Sequence, residues 1–419
     1  MSERFRNNKG DLIIGNVNAA SLVDEFRTPL YAYCGEGILN NFKNFSKSLG
    51  SLNFNIYYSV KANSSMAILS LLAKEGAGAD IVSVGEMHRA LRAGILPSKI
   101  VFSGVGKTDE ELREAIKNKI GQINIESCFE LNKIVQLSEN LNKKVNVAIR
   151  VNIDIDAKTH KKIATGKEDT KFGISIKNND AENLYKKISI HKNLIPSGLA
   201  IHIGSQINDI SLFKKAYLSI FQFAEYLKGK GLNVPNLDLG GGLGIDYKNL
   251  NDPNFIEYGK LVKDIFSGKD FKLGFEPGRC ISANNGILLT KVIGIKITNK
   301  KRFIIVDSAM NDLIRPTLYN SFHLVEKISK KNEPLSAADI VGPICETGDF
   351  FAENRMMPDV KEGDILAIFS VGAYGASMMS NYNTRPEAAE VIIFDNKPFL
   401  IRARKSIDEL LSYEVNPFE

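Results

Sequence analysis

The sequence predicts an α/β chain, a (β/α)8 TIM barrel with a second, mainly β domain (barrel or sandwich) formed by the C-terminal part plus an N-terminal arm. Three observations predict it. From Gly37 onward, helical segments and short apolar runs alternate through eight repeats over roughly 240 residues, the period and size of such a barrel. After Gly278 this alternation gives way to closely spaced extended runs rich in Val, Ile and Phe. Polar residues of reactive type close the strands of the first part, and a parallel barrel gathers such ends at one mouth. A doubly wound open sheet is the alternative, but it would place a glycine-rich turn after the first strand, where this chain has Lys61. The expected division is 1–35 for the arm, 36–280 for the barrel and 281–419 for the β domain.

In chain order, Leu12 to Ile14 and Leu30 to Tyr33 are apolar stretches flanking a helical segment near Ala20 to Phe26. They read as an arm that completes the β domain, because a closed barrel needs no extra strand and a small sheet gains from one. The first barrel strand, Phe54 to Lys61, is dominated by aromatic and β-branched residues, and Ala62-Asn63 opens a helical pattern through Met66, Leu69, Leu71 and Leu72. The remaining strands are Ala79 to Ser83, Ile100 to Ser103, Gln122 to Glu126, Val145 to Asn152, Gly198 to His202, Leu237 to Leu239 and Leu273 to Glu276. Amphipathic segments lie between them: Gly85 to Ala93, Asp109 to Asn118, Phe129 to Asn140, Ala181 to Ile188, Leu212 to Leu227 and Phe255 to Ile265. Gly286 to Ile297, Arg302 to Val306, Asp339 to Val341, Asp364 to Phe369 and Glu390 to Phe394 form the second domain. The longest barrel loop, Asp154 to Asn178, is polar; its TGKEDTKFG, with His160 and Lys171, is expected to act as a lid that excludes water.

Composition excludes several classes. Apolar residues make up 44% and charged residues 24%, which rules out wholesale disorder. Lys and Arg total 54 against 48 for Asp and Glu, and the resulting +6 is too dilute to argue for nucleic acid or a membrane surface. Cys34, Cys128, Cys280 and Cys345 are far apart without a CxxC pair, so neither a metal site nor a disulfide framework is expected. MSERFRNNKGDLIIG has no apolar signal core, and no apolar run approaches the ~20 residues of a membrane span. A cytoplasmic, reducing location follows as the expectation. Cys34, Cys128 and Cys280 read as packing residues, and His88, His191 and His323 carry no assigned role.

The strand ends carry the chemistry. Lys61 ends the first strand, Asp80 and Ser83 the second, Ser103 the third, Glu126 the fourth, Arg150 and Asn152 the fifth, and His202 with Ser205 the sixth. Gly240 to Gly242 end the seventh, and Glu276 with Arg279 the eighth. A lysine held among apolar neighbours is partly desolvated, which favours the neutral amine and its attack on a carbonyl; the bland alternative is a lysine that snorkels to water. Leu239-Gly240-Gly241-Gly242-Leu243-Gly244 lets backbone N–H groups surround an anion, and Ser205 and Arg279 make the cradle suitable for phosphate. Glu276 can meet a protonated ring nitrogen, and His202 offers a flat face for stacking. Lysine, phosphate cradle, carboxylate and stacking imidazole together describe a pyridoxal phosphate site.

Through YSVKAN, TGKEDTKFGI, HIGSQI, LDLGGGLGIDY, FEPGR, MNDLIRPTLY, GPICETGDF and GAYGASMMSNYN, the chain closely resembles the diaminopimelate decarboxylases over nearly its whole length. These belong to the alanine-racemase-like class of pyridoxal-phosphate enzymes, which pair a TIM barrel with a C-terminal β domain. Single pieces are shared with ornithine and arginine decarboxylases, whereas RPTLY, CETGDF and GAYG in this order point to the diaminopimelate branch. The resemblance implies decarboxylation of meso-2,6-diaminopimelate to L-lysine, the last step of lysine biosynthesis. It implies that Lys61 bonds the cofactor, that His202 packs on its ring, that Ser205 with Gly240, Gly241 and Gly242 takes the phosphate, and that Glu276 pairs with the ring nitrogen. Asp80, Pro277, Gly278 and Arg279 are further cofactor contacts by the same resemblance. Arg279, Arg315, Tyr319 and Glu346 would hold the substrate, and Tyr374 would touch both cofactor and substrate.

Cys345 would come from a second subunit and donate a proton, which implies a homodimer with shared active sites; without its flanking CETGDF it would read as a small buried hydrophobe. Arg315 outside RPTLY would read as an ordinary surface or domain-interface ion pair. A decarboxylase of another basic amino acid or of a carboxylated polyamine is the alternative function, and Arg315 with Glu346 discriminates, since a substrate lacking a distal carboxylate has little use for the arginine. A catalytically silent cofactor-binding relative would be expected to lose Lys61, Cys345 or the β domain, and a racemase would need a second base where CETGDF offers a thiol. Two departures from the family pattern are Ala200, where many members have histidine, and Glu387, where arginine is frequent.

Overall fold

A computed structural model describes residues 5–156, 170–329 and 333–418. They form two compact units, one built from Asn41–Gly244 and Pro253–Cys280, the other from the segments up to Asn40, Ile245–Asp252 and Ile281 onward. In the first, eight strands run parallel: β1 (Phe54–Ser59), β2 (Gly78–Ile81), β3 (Ile100–Phe102), β4 (Gln122–Ile125), β5 (Val145–Asn152), β6 (Leu194–Ala200), β7 (Asn236–Asp238) and β8 (Lys272–Phe275). Each pairs in parallel with the next, and β8 pairs with β1, so the sheet closes into the expected barrel. β2, β3 and β4 are wholly buried because both faces of the barrel wall are covered, and their polar members are hydrogen-bonded: Asp80 to Ser59 and Lys61, Gln122 to Asn124, and Asn124 to Ser103.

Capping fixes where each strand hands over to its helix. Ser83, Thr108 and Ser127 accept the backbone N–H of Glu86, Glu111 and Glu130, and Thr108 with Glu111 completes a reciprocal capping box. Ser83 thus serves as the N-cap of its helix. β1 ends at Ser59 rather than at the expected Lys61, because Ser59 N–H turns to the Pro277 carbonyl and Val60–Ala62 coil into a 3-10 turn. The lysine therefore stands on the turn above the strand.

In the second unit, Leu30–Cys34 inserts between Gly286–Ile297, antiparallel, and Ala389–Phe394, parallel. The N-terminal arm thus supplies an interior strand. Around it pack Leu12, Ile14, Leu22, Leu289, Phe369 and Val391. Val325–Lys327, Phe350–Pro358 and Lys397–Arg402 are strands that the pattern did not reveal. The last two lie at opposite edges of the sheet, where one side is solvated and hydrophobic alternation is not required. No helix among the described residues is long and apolar enough to cross a membrane.

Candidate active site

At the C-terminal mouth of the barrel lies a cavity of about 230 Å3 whose wall includes Lys61, Asn124, Arg150, Phe172, His202 and Glu276. Lys61 keeps 34% of its side chain exposed and donates to Oδ2 of Asp80, a fully buried carboxylate that also accepts from Ser59 Oγ at 2.8 Å. Asp80 thus gives the amine a fixed direction in addition to the partial desolvation expected from sequence. Arg150 Nη1 reaches both oxygens of Glu126 at 3.1 Å, and its guanidinium lies 4.7 Å from the Phe172 ring centre. His202 is held below the ordinary imidazole pKa by burial first and then by the cations Arg150 and Lys61. Its Nδ1 accepts Gly241 N–H at 3.3 Å, so the ring is a neutral, oriented plate.

The glycine run is required by geometry. Gly240 and Gly242 have φ of +68° and +111°, in the region L-residues avoid. A Cβ on Gly240, Gly241 or Gly242 would lie 2.2 Å from Ile201 O, 2.2 Å from Glu276 O or 2.4 Å from Gly204 O, respectively. Gly240→Ala is therefore expected to cost about 1–3 kcal/mol of stability, since the obstructing atom is backbone; an unchanged urea midpoint and m-value would refute this. Beside the run, Arg279 Nη2 donates to Ser205 Oγ at 2.9 Å. Gly278 has to be glycine for a similar reason, its Cβ meeting Ala62 Cβ at 2.8 Å, and the Pro277 carbonyl ties this turn to β1. Burial, with Asp238 and Asp80 nearby, pushes the Glu276 carboxyl well above the ordinary range, while Lys61 and Arg150 pull it down.

A primary amine, a neutral aromatic plate, an anion cradle and a buried carboxyl correspond to the aldehyde, ring face, phosphate and ring nitrogen of pyridoxal phosphate. The residues fit the group.

The other expected site residues lie in the β unit, on three segments. Arg315, 5% exposed, donates from Nη2 to Tyr247 Oη and Ser321 Oγ at 3.2 Å each and stands 5.7 Å from the Tyr319 ring centre. Cys345 and Glu346 are exposed on a turn whose neighbour Ile344 donates its N–H to buried Asp349 at 2.7 Å; a second Asp349 oxygen accepts Met310 N–H at 2.7 Å. Glu346 Oε2 accepts from Tyr382 Oη at 3.1 Å. Tyr374 adopts φ of +56°, in the left-handed region, which costs a non-glycine residue roughly 1–3 kcal/mol.

The barrel therefore gathers Lys61, Asp80, His202, Ser205, Gly240, Gly241, Gly242, Glu276, Pro277, Gly278 and Arg279, and the β unit carries Arg315, Tyr319, Cys345, Glu346 and Tyr374. Arg150, which the sequence places at a strand end without a role, lines the cavity, as do Asn124 and Phe172, to which the sequence reading gives none. The polar ending of the fifth strand is the sequence signal for Arg150, and TGKEDTKFG, the segment expected to exclude water, is the signal for Phe172. Cys128, read as packing, is exposed at the start of helix Cys128–Asn140, and Cys345 is exposed as well, so the buried-hydrophobe reading fails for it. Ala200 lines the cavity, and Glu387 pairs with Arg402 at 3.2 Å. Most of TGKEDTKFG, and His160, lie outside the described residues; Lys171 stands 5.4 Å from the Phe172 ring centre.

Residues 36–283 match the family described as pyridoxal-dependent decarboxylase, pyridoxal binding domain. The chain is 45% identical over 415 residues to the diaminopimelate decarboxylase of Zymomonas mobilis, covering 98% of each chain. Among solved structures, the diaminopimelate decarboxylase of Helicobacter pylori complexed with L-lysine aligns with a TM-score of 0.90 at 38% identity, over 94% of this chain and 98% of the other. The diaminopimelate decarboxylase of M. jannaschii, also in complex with L-lysine, aligns with a TM-score of 0.93 at 35% identity, over 98% of this chain and 97% of the other.

Proposed function

The chain belongs to the diaminopimelate decarboxylase family, and on that premise we propose how its own residues divide the reaction. It is a pyridoxal-phosphate-dependent decarboxylase that converts meso-2,6-diaminopimelate to L-lysine and CO2. The observation that carries the assignment of roles is the convergence of Lys61–Asp80, His202 and Glu276 on one cavity, with the glycine cradle at the same strand ends. When bound, pyridoxal phosphate supplies the electron sink for the electrons left behind by CO2.

In this reading Lys61 would hold the cofactor at its aldehyde, and Asp80 orients the lysine amine. His202 covers the ring face. Ser205, Gly240, Gly241, Gly242 and Arg279 bind the phosphate, while Pro277 and Gly278 shape the turn beside it. Glu276 holds a proton at the ring nitrogen, and burial among low-dielectric walls strengthens that contact. Arg279, Arg315, Tyr319, Glu346 and Tyr374 orient the substrate, and Cys345 Sγ delivers a proton to the carbon that lost CO2. The exposure of Cys345 and Glu346 on a single chain supports a homodimer in which this turn serves the neighbouring copy. The cofactor-binding barrel is the expected 36–280 less the residues up to Asn40 and Ile245–Asp252, which group with the arm and 281–419 in the β unit, and the enzyme works in the cytoplasm.

CO2 release from meso-diaminopimelate, with ornithine, arginine and L-lysine as comparison substrates, tests this function. Release from diaminopimelate alone is the expected result; release from ornithine instead would sink the substrate assignment. Arg315→Lys is expected to raise KM about 10–100-fold while the cofactor absorbance persists, because lysine cannot reproduce a planar two-bond grip on a carboxylate. An unchanged KM would remove Arg315 from the substrate site.

A further inference from the structure

His323 is fully buried in the β unit, with Nδ1 2.8 Å from the Phe369 carbonyl oxygen and Nε2 3.4 Å from Arg315 Nε. Arginine Nε always carries its hydrogen, so Nε2 is the acceptor and Nδ1 carries the proton given to Phe369. The imidazole is thereby neutral and locked in one tautomer. Tyr247 packs edge-on against it, ring centres 5.2 Å apart, and the same tyrosine accepts from Arg315 Nη2 at 3.2 Å.

We propose that His323 is a positioning residue for substrate recognition, holding the plane of the Arg315 guanidinium at the angle a carboxylate requires. The inference rests on the reading that Arg315 grips the distal carboxylate. A guanidinium meets a carboxylate best when the two planes nearly coincide, and the rotation that decides this turns about the bonds at Nε. Tyr247 and Ser321 hold one terminal nitrogen; His323 holds the pivot. Because the acceptor is a neutral nitrogen, it orients the guanidinium without discharging it, which an aspartate at the same place would not do.

The test uses holoenzyme carrying His323→Asn or His323→Gln, with Arg315→Lys alongside. Asparagine can still donate to Phe369 but falls short of Arg315, whereas the glutamine oxygen can accept from Nε. Steady-state kinetics with diaminopimelate would be combined with calorimetric binding of L-lysine, which retains the distal carboxylate, and with thermal melts. His323→Asn is expected to raise KM and the L-lysine Kd about 10-fold with kcat within about threefold of the parent, and His323→Gln to restore most of the loss. The proposal falls if His323→Asn leaves KM and Kd unchanged while Arg315→Lys raises both, or if His323→Gln is as impaired as His323→Asn. Unchanged values for Arg315→Lys would overturn the underlying reading of the arginine and the inference with it.

Discussion

Lys61→Ala is expected to lower kcat by on the order of 10^3-fold or more and to remove the absorbance of lysine-bound cofactor. The side chain stands on the 3-10 turn above β1, aimed by a buried carboxylate that Ser59 also holds. No neighbouring group can replace a primary amine at that point. The substitution also withdraws a positive charge from a buried acidic cluster: Asp238 is pushed up to about 7, first by burial and also by Asp80, and Lys61 counters the rise at both Asp238 and Glu276. Lys61→Arg separates the two effects. It keeps the charge but cannot form the bond to an aldehyde, so stability should stay near the parent's while turnover stays as low as in Lys61→Ala. Turnover of Lys61→Ala within about tenfold of the parent would refute the assignment.

Cys345→Ala is expected to reduce kcat about 10^2–10^4-fold, the usual worth of a positioned acid, with little change in cofactor absorbance. Its turn is rigid for an exposed one, since Glu346 N–H bonds Ile344 O at 2.8 Å and buried Asp349 anchors Ile344. Exposure of the thiol removes any large packing loss from the interpretation. The same variant tests the proposed dimer. When Cys345→Ala and Lys61→Ala chains are mixed, shared sites would restore about a quarter of parental activity, because half the dimers are mixed and each has one complete site. Near-normal kcat in Cys345→Ala alone would discard the proton-donor role.

Much of this architecture is legible in the amino-acid sequence. β5 begins and ends where its alternation with flanking polar residues places it, Val145–Asn152, and Gly286–Ile297 and Arg302–Val306 likewise match their expected bounds. Such runs are local: their length and residue type decide the strand, and turn residues end it. Lys61 was misplaced by a strand end because the Ser59 to Pro277 hydrogen bond joins residues more than two hundred positions apart, and no local pattern registers it. The edge strand Lys397–Arg402 escaped for the opposite reason. Its partner on one side is solvent, so Phe399 and Leu400 sit exposed without the periodicity that burial imposes.

The sequence by itself determined the barrel, the β domain, and the residue types the chemistry needs: a lysine after the first strand, glycines where the backbone must turn left-handed, a glutamate after the eighth. These are short-range properties of covalent geometry and hydrophobic period. Tertiary structure alone decided that Leu30–Cys34 would lie inside a sheet made mostly of residues beyond 285, and that Phe172 would wall the cavity beside Arg150. It also decided that burial pushes the His202 imidazole down and the Glu276 carboxyl up, and that His323 faces Arg315 in a single tautomer. Desolvation and Coulomb interactions act through space, between groups that only the closed fold brings together.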